Sequence, residues 1–223
     1  MTRQLVLDLP HRTALGRGDF FVSSTNAQAL AALDAWRDWP GGKMVLIGPP
    51  ASGKTHLAHV WANASRAALH PACELATADI AALGAKPAVV VEDCEVLPRH
   101  PNAQEALFHL HNLLAAKGAA LLMTAASAPR DWGLTLADLQ SRVQAASVTR
   151  LEAPDDPLLS AVLIKLFADR QITVSPTLIA YLLPRMERSF AAARALVAKL
   201  DAEALARGTG VSRALAATVL DNP

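Results

Sequence analysis

The chain has 223 residues, 52 % of them hydrophobic and 18 % charged, with a formal net charge of +1. That composition supports a packed core rather than disorder, and near-neutrality leaves no bulk field to hold nucleic acid non-specifically. No apolar run is long enough for a signal peptide or a membrane span, so a soluble cytoplasmic protein is expected.

Residues 1–18 carry Pro10, Gly16 and Gly18 without helical period and read as an extended tail. "STNAQALAALDAW" (24–36) opens on N-cap residues and reads as a helix. After the break at "PGG" (40–42), "KMVLIG" (43–48) is a short apolar run suited to a buried parallel strand, and a helix follows from Thr55 to about Arg66. "AVVVED" (88–93) is a second buried strand. "NAQEALFHLHNLLAAKG" (102–118) is a helix with an apolar stripe of Ala103, Leu107, Leu110 and Leu114 and with Gly118 at C′. "AALLMTA" (119–125) and "ASVTRL" (146–151) are third and fourth strands. Strands alternating with helices predict an α/β fold with a parallel sheet over residues 19–153.

Beyond Pro154 the strand signals stop. Segments 155–171, 175–186, 188–208 and 212–221 read as helices, the third with a face of Phe190, Ala193, Val197, Leu200 and Ala204. Residues 154–223 are therefore expected to form a small all-α lid domain. The two cysteines, Cys73 and Cys94, stand in no metal-ligand spacing and are expected as buried thiols of a reducing compartment.

"GPPASGKT" (48–55) matches GxxxxGK[ST] between a strand and a helix. Gly48, Pro49, Pro50, Ala51, Ser52 and Gly53 would form a loop that wraps phosphates, its non-proline residues offering backbone N–H groups, and Lys54, Thr55 and His56 open the helix whose N-terminus favours an anion. Lys54 would reach the β- and γ-phosphates, and Thr55 would hold Mg²⁺. "VVVEDCE" (89–95) ends a strand in acids beside that loop, where one carboxylate can orient the metal's water and another the attacking water. His109 and His111, two apart on a helix, cannot face one metal.

"GPPASGKTHLAHVWA" (48–62), "VVVEDCEVL" (89–97), "QEALFHLHNLL" (104–114) and "LADLQSRV" (136–143) resemble, in order and spacing, the DnaA-type AAA+ ATPases. The resemblance implies a AAA+ base domain followed by a helical lid, with ADP or ATP and Mg²⁺ as ligands. It implies a metal-side role for Glu92 and a water-orienting role for Asp93, in the reverse of the usual acidic order. It makes Arg142 an arginine finger acting on a neighbouring subunit's nucleotide. It makes Arg188 the lid arginine that touches the phosphates, with Arg194 as the alternative. Alanines, Ala125 and Ala126, stand where the family carries a polar residue after the third strand, with Thr124 as a substitute, so weak intrinsic hydrolysis is expected.

Within that family the chain resembles the Hda-like regulatory inactivators of DnaA. It ends about where DnaA would begin its DNA-binding domain, and "RMERSFAAARALVAKLD" (185–201) is similar to their lid helix. "QLVLDL" (4–9) is similar to their peptide for the β sliding clamp, which would use Gln4, Leu5, Leu7 and Leu9; an edge strand or an idle tail is the alternative. The resemblance implies that the protein, bound to adenine nucleotide and to DNA-loaded clamp, promotes ATP hydrolysis by DnaA. It would do so without sequence-specific DNA binding of its own, and self-association through the AAA+ faces is open. A helicase loader or DnaA-type adaptor, or a small-molecule P-loop kinase, are the rival readings.

Overall fold

The computed structural model describes residues 21–221. The tail with Gln4, Leu5, Leu7 and Leu9 lies outside the described residues.

Helix α1 (Ala27–Asp34) leads through two 3₁₀ turns into β1 (Lys43–Ile47), and α2 (Lys54–Ser65) follows the glycine loop. Then come β2 (Ala68–Pro71), α3 (Ile80–Gly84), β3 (Ala88–Glu92), α4 (Pro101–Ala116), β4 (Ala120–Ala125), α5 (Ala137–Gln144) and β5 (Ser147–Arg150). The strands form one sheet in the order β2-β3-β4-β1-β5, every pair parallel. The four strands expected from apolar runs are present. The fifth, β2, is an addition. Its sequence "ALHP" has no apolar run because it is an edge strand, half-buried and paired on one side only.

Alternate residues of the sheet feed two cores, as the period of two requires. Val45, Ile47, Val91 and Met123 pack under α4, whose stripe Ala103, Leu107, Leu110 and Leu114 is fully buried. Met44, Leu46, Val90 and Leu122 face α1 and α2, where Trp39 stacks on Trp61 with ring centroids 5.2 Å apart. Gln104, buried on α4, ties this layer together. Its amide donates to the Leu97 carbonyl (3.1 Å), and its oxygen accepts from the Thr135 and Leu136 N–H groups (3.0 and 3.2 Å). That latch fixes the loop entering α5.

After β5 every element is helical: α6 (Asp156–Ala168), α7 (Pro176–Leu182), α8 (Phe190–Arg207) and α9 (Arg213–Asp221). They share a core of their own that includes Leu163, Phe167, Leu178, Val197, Leu200 and Ala216. Asp155, Ser175 and Ser189 cap the first three by accepting from the N–H three residues on. Helix α7 stops earlier than its apolar pattern suggests. Pro184 has no N–H to donate, and a 3₁₀ turn (Leu183–Arg185) takes over.

One expectation is corrected: Cys94 is buried, but Cys73 is exposed, because it sits on the 3₁₀ turn (Ala72–Thr77) that leaves the edge strand. None of the described helices is long and apolar enough to cross a membrane.

Candidate functional site

The glycine loop leaves β1 at Ile47, which is paired with Ala125 on one side and Arg150 on the other. Gly48 donates its N–H to the Ala125 carbonyl (3.2 Å), and a Cβ there would fall 2.4 Å from the Leu151 carbonyl oxygen. No larger residue fits. Gly53, with φ +101°, is the N-cap of α2. Ala51 between them has φ +57°, a left-handed conformation that a non-glycine residue adopts at a cost and that clusters at binding sites.

This loop forms one wall of a cavity of about 410 Å³. Pro50, Ala51, Gly53, Lys54, Thr55 and His56 line it, whereas Gly48, Pro49 and Ser52 do not. Asp93 and Glu95 from the turn after β3 also line it, as does Ala126 after β4. The remaining wall is helical. Leu158, Val162 and Leu166, spaced four apart on α6, give it an apolar stretch, with Phe190 and Arg194 of α8 beside them. An apolar half joined to a polar half suits a ligand with a flat apolar body and an anionic tail.

The Lys54 ammonium donates to the carbonyls of Gly48 (2.8 Å) and Pro49 (3.0 Å). Burial lowers its pKa, opposed by the charges of Glu95 and then Asp93. Asp93 itself takes a left-handed turn, φ +59°, and its N–H donates to the Thr124 hydroxyl (3.1 Å). Thr124 is thus committed to the backbone of the acidic turn, and it is Ala126 that meets the cavity.

Glu92 ends β3 and is not among the lining residues. Burial raises its carboxyl pKa, against a hydrogen bond from Thr55 and the charge of His59, whose Nε2 is 4.0 Å away. Its Oε1 is buried without a hydrogen-bond partner. A threonine hydroxyl joined to a carboxylate with an unused oxygen is a hard-oxygen donor pair of the kind Mg²⁺ takes alongside phosphates, so these residues fit that ion.

The arginines separate. Arg188 lies just before the Ser189 cap, is exposed, and pairs with Asp156 at 2.9 Å, away from the cavity lining. Arg194, four residues beyond Phe190 on the same face of α8, lines the cavity. Arg142, in the last turn of α5, is also outside the lining. Its exposed guanidinium lies over the Phe108 ring, 5.0 Å from the centroid. Glu95 is one of the cavity residues that the sequence reading left out, with Lys165 and Asp169 on the helical side. The motif contained it, but nothing local tells which side of the turn it takes.

No family model matches the chain, and no curated protein matches it. Solved structures do. Over 93 % of this chain and 96 % of the other, it superposes on domain III of the Thermotoga maritima replication initiation protein DnaA, with a TM-score of 0.81 and 19 % identity. AMPPCP-bound DnaA from Aquifex aeolicus gives 0.69 and 16 % over 82 % of this chain, and a point variant of Thermotoga maritima RuvB gives 0.67 and 16 % over 88 %. The match spans 64 % of the Aquifex DnaA chain and 67 % of the RuvB chain. The fold is therefore the AAA+ P-loop fold: a parallel sheet flanked by helices, with a helical part after it.

Proposed function

We propose that the protein is an adenine-nucleotide-binding AAA+ regulator of replication initiation, which uses Arg142 to promote ATP hydrolysis on DnaA. What carries the nucleotide half is the convergence of Lys54, Thr55, Asp93 and Arg194 on one cavity. What supports the second half is that Arg142 stands outside that cavity, exposed, where its charge is available to another molecule. The DnaA structure bound to AMPPCP offers a precedent for the ligand on this fold.

In this reading the α2 N-terminus and the loop N–H groups bind the phosphates, and the Lys54 ammonium turns from its two carbonyls to them. Arg194 takes the phosphate-contacting place on the lid, and Arg188 stays with Asp156. Thr55 and Glu92 would hold Mg²⁺, which neutralises phosphate charge when bound. Asp93 is placed to orient water, but the alanine at 126 leaves that edge of the cavity without a polar group, so the protein's own hydrolysis is slow.

Arg142 then acts in trans. A guanidinium brought to a transferring γ-phosphoryl stabilises the charge spread over its oxygens, an effect of about 10³–10⁵ in rate for related transfers. The peptide with Gln4, Leu5, Leu7 and Leu9 would tether the protein to the β sliding clamp, raising its effective concentration at DnaA on DNA.

The test is phosphate release by ATP-bound DnaA with DNA-loaded clamp. Wild type should stimulate it; Arg142→Ala should not, while keeping ADP binding; removal of residues 1–10 should abolish stimulation only where the clamp is required. Undiminished stimulation by Arg142→Ala would refute the trans role.

A further inference from the structure

Helix α2 carries an imidazole that the nucleotide reading does not use. Thr55 and His59 are one helical turn apart, so they lie on the same face of α2. Both meet Glu92 at the end of β3. Thr55 hydrogen-bonds its carboxylate, and His59 Nε2 stands 4.0 Å from Oε2. The two carboxylate oxygens are therefore treated differently: Oε2 has the ring beside it, whereas Oε1 is buried without a hydrogen-bond partner. The Glu92 side chain is only 14 % exposed, so bulk water does little to orient it. Thr55 lines the cavity and neither Glu92 nor His59 does, which sets the acid and the imidazole one side chain back from it.

A glutamate carboxylate has several rotatable bonds to fix, and fixing them costs entropy. Carboxylates that serve a cation are themselves held by outer partners, which set the direction of the oxygens. If the Thr55 hydroxyl turns to a cation it gives up Glu92, and His59 remains beside Oε2. At 4.0 Å the ring is beyond direct hydrogen bonding, a gap that one bridging water or a turn of the partly exposed ring closes. We propose that His59 is a positioning residue for the divalent cation of this site: it holds Glu92 by Oε2 and so presents Oε1 to the cation and its water. The inference rests on the nucleotide reading above. It concerns binding only, with no bond made or broken.

The experiment is calorimetric titration of the full chain with ADP, once in EDTA and once in excess Mg²⁺. Wild type should bind ADP more tightly in Mg²⁺. His59→Ala should keep the affinity in EDTA and shrink the gain from Mg²⁺ about tenfold or more, the usual cost of losing an outer partner of a metal-serving group. His59→Gln retains an N–H donor and should recover most of the gain. In a Glu92→Gln chain, which lacks the carboxylate that His59 would hold, adding His59→Ala should change the gain no further. A gain that survives His59→Ala, an equal loss in EDTA and in Mg²⁺, or an undiminished effect of His59→Ala beside Glu92→Gln would each overturn the proposal; the second makes His59 merely structural, and the third has it act without Glu92. Equal wild-type affinity in EDTA and Mg²⁺ overturns it as well, while leaving the nucleotide site standing. If wild type binds no ADP, the nucleotide reading fails and this inference with it.

Discussion

The ring of Phe190 lies against Gly53. A Cβ at Gly53 would approach the ring Cε2 to 2.8 Å, and the Phe190 N–H points to the Ala51 carbonyl at 3.4 Å. The first residue of α8 thus rests on the phosphate loop, so the helical part and the sheet meet at the residues that would hold phosphate.

Gly53→Ala should therefore harm binding twice. The left-handed φ disfavours an L side chain by ~1–2 kcal/mol, and the new methyl displaces the ring. ADP affinity should fall at least about tenfold. Phe190→Ala in the same chain should recover part of that loss. A double-mutant cycle by calorimetry reads the coupling, and strict additivity would show that ring and loop act independently.

Arg194→Ala should weaken ADP binding by about 1.5–3 kcal/mol, the range for a hydrogen bond to a charged group. Arg188→Ala should change it by less than ~0.5 kcal/mol, because an exposed ion pair such as Arg188–Asp156 is worth little. The opposite order of losses would return the phosphate contact to Arg188.

Gln104→Leu should destabilise the fold by about 2–4 kcal/mol in urea denaturation. It leaves the Leu97 carbonyl and the Thr135 and Leu136 N–H groups without their buried partner. A change under ~0.5 kcal/mol would show that water replaces the amide.

Stability should fall with acid through His111. Burial first, then the charges of Lys43 and Arg142, lower its pKa from 6.5 to about 4. Between those values the unfolded chain binds a proton that the folded one refuses, so stability is full above pH 6.5 and declines toward pH 4. The loss is on the order of 2–3 kcal/mol. Urea melts at pH 7 and pH 5 should show a steeper decline for wild type than for His111→Gln; equal slopes would place the acid sensitivity elsewhere.

Much of this architecture was legible in the chain. Central parallel strands are buried on both faces, so β1, β3 and β4 must be near-continuous apolar runs, and they are. The stripe of α4 and Gly118 past its end, at φ +65°, follow from helical geometry alone. "GPPASGKT" is readable because its chemistry is local: adjacent residues supply the turn, the lysine and the hydroxyl. The edge strand β2 was not legible, since pairing on one side asks little of its side chains. Nor was the membership of the cavity. Arg188 and Arg194 are equally basic and six residues apart. Only the docking of α8 on the loop, through Phe190, turns one inward, while Asp156 holds the other outside. Glu95 likewise follows from the left-handed turn at Asp93, whose N–H is held by Thr124, 31 residues away. Local periodicity sets which residues share a face of an element. Which face meets the ligand depends on contacts between elements far apart in the chain, and these exist only once the sheet and the helices have packed.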